Sequence, residues 1–292
     1  MGGLALNSGI LLAYINDLQL ERNVFLSNQT IGRRTTILNI STLIGGNIGT
    51  LLFDKNYNLP LYFSIIGLFL YPIIVFGWTR LMGFGDNSAT SLLKQNRVWR
   101  IEKFSINKLL LHISLLNLIF EIAIQFILVY WSIYFVQKLN FNLSFVYTLM
   151  MLSVILGSEI YVVGSKKLSN HNLLILSVVV MGLSVIFIGV FESRVFSLFF
   201  FSLFELCTGI FTSSVHVVQN RALLKQEHKS KTLSIIDFST EIVIIICLQF
   251  INFGMKLISI KLMFIVSGCL LFPIATLVGL CLRGRKEKNG IL

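Results

Sequence analysis

Long apolar stretches alternate with short polar breaks along this chain. Nine apolar segments predict nine helices: Gly3–Leu20, Thr35–Phe53, Leu59–Thr79, Leu109–Val136, Phe141–Gly164, His171–Phe191, Val195–Gln219, Thr232–Gly254 and Leu257–Leu282. A membrane-spanning helix needs roughly 20 apolar residues. The first segment is short for that and carries Asn7, Asn16 and Asp17. A bilayer admits only helices or closed barrels, and the two-residue alternation of a barrel is absent. The expected class is therefore an all-α polytopic membrane protein.

One long polar interval, Arg80–Lys108, divides the segments into three before it and six after it. The expected organisation is 3 + 6. Residues 1–80 form a partial N-terminal bundle of three spans, and 81–108 a basic cytoplasmic linker. Residues 109–282 form a six-helix bundle, and 283–292 a cytoplasmic tail. Within the linker, Leu92–Phe104 mixes Leu, Trp, Ile and Phe with basic residues, which suits either a helix lying on the inner leaflet or a solvated tether.

Composition strengthens the membrane reading. Hydrophobic residues make up 55 % of the chain and charged ones 13 %; a soluble chain carries about 25 % charge. Mean hydropathy is +0.82. The net charge of +11 would suit nucleic acid, but its placement fits a membrane better. With Arg80–Lys108 in the cytoplasm and alternating spans, 19 Lys and Arg fall inside and 5 outside, as the positive-inside rule requires. This leaves no role for nucleic acid and predicts a multi-pass protein of the cell (plasma) membrane with a cytoplasmic C-terminus. Tyr130, Trp131 and Tyr134 are expected to mark the outer end of segment four. Cys207, Cys247, Cys269 and Cys281 all lie in apolar segments without CxxC or Cys/His spacing, so neither a disulfide framework nor a metal site is expected. No basic n-region precedes the first segment, so no cleavable signal peptide is read.

Candidate chemistry lies in polar residues at helical spacing. Carboxylates in a bilayer are costly and face cavities. Asn117, Glu121 and Gln125 recur every four residues and share a face of segment four. Glu205, Thr208, Thr212 and His216 do the same in segment seven, and Asn39, Thr42, Gly46 and Thr50 in segment two. In segment eight, Asp237 precedes Glu241 by one turn. These stripes read either as a cavity with a proton-titrating carboxylate or as interhelical hydrogen bonding. Buried carboxyls favour the protonated form, which suits coupling of protonation to a conformational change. Glu121, central and flanked by amides, is the leading candidate for the coupling or substrate carboxylate. Glu205 and Glu241 are open between the two readings. Asp237, near Lys229 and Lys231, and His216, near the inner end, read as structural, and Asp17 as a cap or loop contact. Gly45 and Gly49 permit close helix approach within the bundle.

An internal repeat is also visible. Ser8-Gly9-Ile10 corresponds to Thr208-Gly209-Ile210, Ile37–Ile40 to Thr232–Ile235, and Gly67–Ile73 to Gly268–Ile274. Segments one to three would then match seven to nine, as in transporters built from parallel repeats.

Several residues carry a resemblance to the major facilitator superfamily: Ser8-Gly9 with Ala13-Tyr14 and Asp17, the Arg33-Arg34 entry into segment two, the Gly45–Gly49 run and the long central loop. The chain resembles helices four to twelve of the usual twelve. The family's acidic, glycine-rich signature loop would then lie upstream of Met1. Its echo after segment five, Gly157-Ser158-Glu159 through Lys167, is degenerate. The arginine that some drug/proton antiporters carry in helix four is absent.

The resemblance implies two helical bundles around a midplane cavity and rocking alternating access. The expected function is secondary active transport of a small molecule, efflux included, driven by a proton or ion gradient. Asn117 and Gln125 would line the site of Glu121, with Glu205, Glu241, Thr208 and Asn39 as further candidates. No cofactor is expected, and the partners are the lipid bilayer, a small-molecule substrate and protons. The alternative is a truncated, non-transporting remnant, or a membrane subunit whose partner supplies three helices in trans. An enzyme is not expected, because no nucleophile triad or Asp-rich membrane motif is assembled.

Overall fold

The computed structural model describes residues 24–56, 58–81, 108–191, 193–223, 229–254 and 259–289. All eight long elements in them are helical, and they fall on segments two to nine: α1 (Val24–Lys55), α2 (Leu59–Leu81), α3 (Lys108–Ser132), α4 (Leu143–Gly164), α5 (Asn170–Val190), α6 (Arg194–Leu223), α7 (Lys229–Gly254) and α8 (Ile260–Asn289). A π-helical stretch, Ile133–Lys138, extends α3. Segment one, with Asp17 and the Ser8–Ile10 part of the repeat, lies outside the described residues, as does Leu92–Phe104.

Among the described residues, five stretches are long and apolar enough to cross a membrane: Leu110–Lys138, Leu143–Gly164, Asn170–Val190, Arg194–Gln219 and Ile260–Leu277. Leu59–Leu70 and Phe238–Ile251 are shorter apolar helices. The chain is thus multi-pass by length and composition. Large apolar side chains are exposed along every helix. In water they would be a liability, but lipid tails solvate them as readily as a protein core does.

Short connections set neighbouring helices side by side. Asn140 adopts a positive φ of 54° in the turn before α4, a conformation that asparagine tolerates better than most residues. Asn142 then caps α4, its Oδ1 accepting from the Phe145 amide at 3.2 Å. Ser169 caps α5 in the same way, accepting from the Asn172 amide at 3.4 Å.

The core joins α3, α5, α6 and α8. Phe120 stacks on Phe211, with ring centroids 3.7 Å apart. Phe126 meets Phe264 edge-on, and Trp131 stacks on Phe201. Tyr134, near the end of the stretch Leu110–Lys138, is a core residue. It is 1 % exposed, with its hydroxyl 3.3 Å from the Ile188 carbonyl and 3.4 Å from Ser197 Oγ. Phe120, Ile127 and Tyr134 recur every seven residues and are all buried, so Tyr134 continues one face of α3 and ties it to α5 and α6.

Glycines allow two close helix crossings. Gly157 of α4 lies on the Leu206 carbonyl of α6, and Gly209 of α6 on the Val154 carbonyl of α4. Gly182 and Gly189 of α5 meet Gly268 and Lys261–Ile265 of α8; a Cβ on Gly268 would stand 2.8 Å from the Gly182 carbonyl oxygen. Among the described residues, the Gly45–Gly49 pair is not used in this way. Neither residue has a described atom within 4 Å of its missing Cβ, and it is Gly46 that lies against the Tyr147 ring.

The first half meets the second along α1. This helix packs on α4 and more lightly on α6, while α2 packs on α1. Gly32 meets Val162, and Asn47 meets Ser144, so α1 and α4 are antiparallel. Arg33 and Arg34 therefore lie at the same end as Lys166 and Lys167.

Candidate functional site

The polar stripe of α1 is an interface seam. Thr36 Oγ1 donates to Glu159 Oε1 at 2.8 Å, and Asn39 Nδ2 approaches Ser158 Oγ at 3.5 Å. Further along, the Tyr147 hydroxyl donates to the Thr42 carbonyl at 2.9 Å. Ser144 and Thr148 each have a hydroxyl 3.1 Å from Asn47 Oδ1. Thr42 and Thr50 bond carbonyls of their own helix. Asn39 is thus engaged with α4. Sequence spacing had not singled out Thr36, Asn47, Ser144, Tyr147 or Thr148. Ser158 and Glu159 were visible only within the degenerate loop echo.

The seam yields an energetic expectation. Truncating Asn47 to alanine removes the acceptor that Ser144 uses and one of two open to Thr148, whose hydroxyl also reaches the Ser144 carbonyl at 2.7 Å. In a bilayer, such contacts are worth about 0.6–2 kcal/mol. Asn47→Ala should lower unfolding stability by about 1 kcal/mol, read by denaturant titration in mixed micelles. An unchanged midpoint would mean that lipid or water replaces Asn47 at no cost.

The stripe of α6 points elsewhere. On an ideal helix, Glu205, Thr212 and His216 fall within about 40° of one another. The adjacent faces of α6 carry Phe204 and Phe211 in the core with α3, and Gly209 against α4. The stripe therefore looks between α3 and α4, toward α1. At its far end Arg34 of α1 lies within electrostatic reach of His216. Thr208 is at the edge of this face, and its hydroxyl donates to the Phe204 carbonyl at 3.1 Å.

Glu205 stands out within the stripe. It is 3 % exposed, and its Oε1 has no hydrogen-bond partner among the described residues. The Oγ atoms of Ser213 and Ser214, further along α6, are also buried without one. Buried polar groups are nearly always hydrogen-bonded, and leaving one unpaired costs about 1–3 kcal/mol.

On α3, Asn117, Glu121 and Gln125 are all half-buried on one face. Glu121 lies close enough to Glu241 of α7 for like-charge repulsion, across a contact that joins the two helices. Glu241 is exposed. The structure thus sets Glu121 within like-charge reach of Glu241 and leaves Glu205 in a separate, buried position. Asp237 lies on α7, but its side chain and those of Lys229 and Lys231 are outside the described set.

Chemically, the described helices offer two carboxylate positions besides Glu159, which is engaged with Thr36. One is a half-buried carboxylate facing a second across α3 and α7; the other is a buried carboxyl on a hydroxyl- and imidazole-bearing face. Neither is accompanied by a group of metal-ligating side chains among the described residues. No protein-family model matches this chain, and a search of curated proteins also finds no match.

Proposed function

We propose that this chain acts in secondary active transport of a small molecule across the cell membrane. In this reading it is a nine-span, 3 + 6 protein of the major facilitator type, coupled to a proton or ion gradient, with its C-terminus in the cytoplasm. The observation that carries the reading is Glu205. A carboxyl at membrane depth with an unpartnered oxygen is expensive to keep. Such a group is retained where its proton or a ligand does work. The α3 stripe supports the same reading, because Asn117, Glu121 and Gln125 bring two amides and a carboxylate to one half-buried face. The α1–α4 seam supplies the contact between halves across which rocking would occur.

In this mechanism Glu121 is the coupling or substrate carboxylate. Glu241 beside it disfavours having both groups charged at once, which ties binding of a proton or cation to the separation of α3 and α7. Glu121→Gln should abolish gradient-driven uptake into proteoliposomes and flatten its pH dependence. Unchanged uptake with an unchanged pH profile would remove Glu121 from the mechanism.

A second reading is favoured by α2. Residues 61–70 of this helix are all exposed, and its packing is on α1, so its apolar surface can receive further helices. The chain would then be a non-transporting remnant, or a subunit whose partner supplies three helices. Intact mass of the protein isolated from its native membrane separates the cases. A product near 33.0 kDa with a co-purifying helical partner supports the subunit. A product longer by about 80–120 residues, or three spans with their loops, supports the transporter.

A further inference from the structure

The α1–α4 pair has two grooves, and they differ. Packing of α6 on both helices fills one of them. On the other side, α1 exposes Ile37, Ile40, Ile44 and Ile48, and α4 exposes Leu152, Leu156, Ile160 and Val163. On an ideal wheel each ridge lies about 120° round from the face that meets the other helix. Because the helices are antiparallel, both ridges turn to the same side. Together they wall an apolar groove that is open among the described residues.

The groove ends in positive charge. Arg33 is exposed and adjoins Gly32, which packs on Val162. Lys166 and Lys167 are exposed in the turn just past Gly164, where α4 ends. The described carboxylate nearest to them on α4, Glu159, sits about two turns deeper and accepts from Thr36. Three cations thus cap a two-walled apolar groove at the level where the α4 span stops.

We propose that this groove binds an anionic phospholipid. The phosphate sits among Arg33, Lys166 and Lys167, and one acyl chain lies along each ridge. Charge selects the headgroup, and the paired apolar walls select a two-chain lipid over a free phosphate. Basic pockets between membrane helices recognise anionic headgroups in this way. The lipid would bridge the two halves beside the Thr36–Glu159 contact and strengthen their association on that side. This proposal does not depend on transport.

The test uses the purified, delipidated full-length chain in detergent. Native mass spectrometry measures retention of added phosphatidylglycerol against phosphatidylcholine of the same chain length. One phosphatidylglycerol should be retained in preference. Lys166→Gln and Lys167→Gln should each reduce that preference about fivefold, while Arg194→Gln, at the opposite end of α6, should leave it unchanged.

A second measurement covers the case in which the lysine variants do not fold. A tryptophan introduced by Ile160→Trp should be quenched more strongly by brominated phosphatidylglycerol than by brominated phosphatidylcholine. Equal retention of the two lipids, or a preference that survives loss of both lysines, overturns the proposal. So does a lipid-free dimer, which would mean that a second copy occupies the groove.

Discussion

Gly209→Leu should force α4 and α6 apart and unfold much of the bundle. The missing Cβ of Gly209 points at the Val154 carbonyl oxygen, and that of Gly157 at the Leu206 carbonyl oxygen. Both obstacles are backbone, which cannot swing away as a side chain can. Overpacking a tight interior costs typically 1–3 kcal/mol and occasionally more. With backbone on both sides, about 3 kcal/mol is expected for leucine at 209. Gly45→Leu on α1 is the matched control, since no described atom lies within 4 Å there. Thermal unfolding in detergent, followed by circular dichroism, should show a large loss for Gly209→Leu and little change for Gly45→Leu. Equal midpoints for the two would mean that α4 and α6 do not cross at Gly209.

Glu205→Met should have the opposite effect on stability. Replacing a buried, unpartnered carboxyl by an apolar chain of similar volume removes a desolvation cost of about 1–3 kcal/mol. The variant should therefore unfold at higher temperature than the parent. If Glu205 serves transport, the same variant should lose gradient-driven uptake. Stability gained as function is lost is the signature of a group retained for its chemistry. A destabilised variant with normal uptake would instead identify Glu205 as a structural hydrogen-bonding residue. Glu205→Gln separates charge from polarity. It should keep most of the packing and gain less stability, because its amide also needs partners.

Much of the helical layout was legible in the sequence, because hydropathy reports membrane depth directly. It reports helix ends less well. Segment two was read from Thr35, yet α1 begins at Val24; segment nine was read to Leu282, yet α8 continues to Asn289. Helical hydrogen bonding does not stop where the bilayer does, and nothing in Val24–Arg34 breaks the helix.

Rotation about the helix axis was the harder problem. The Gly45–Gly49 spacing names a motif, but the partner's side chains decide which face is used. Here Tyr147 selects Gly46. Tyr134 marks the outer end of its segment by position and is also a core residue, on the same face of α3 as Phe120 and Ile127. The stripes of α3 and α6 were legible because polar residues are scarce in these helices. Their assembly was not, since Glu121 comes within electrostatic reach of Glu241 through the packing of α3 on α7, which no spacing encodes. The pairing of Asn47 with Ser144 and of Glu159 with Thr36 was not legible, because each partner lies about a hundred residues away.

The glycine contact between α5 and α8 constrains how the protein is made. Synthesis proceeds from the N-terminus, so α5 enters the membrane before α6, α7 and α8 exist. Until α8 arrives, Gly182 and Gly189 have no backbone to rest against, and the small-residue face of α5 must wait in lipid. α8 therefore completes the crossing, and a ribosome that stops within α7 leaves that crossing unmade. That half-built face is where a quality-control protease or an insertion chaperone would find a difference between the unfinished chain and the finished one.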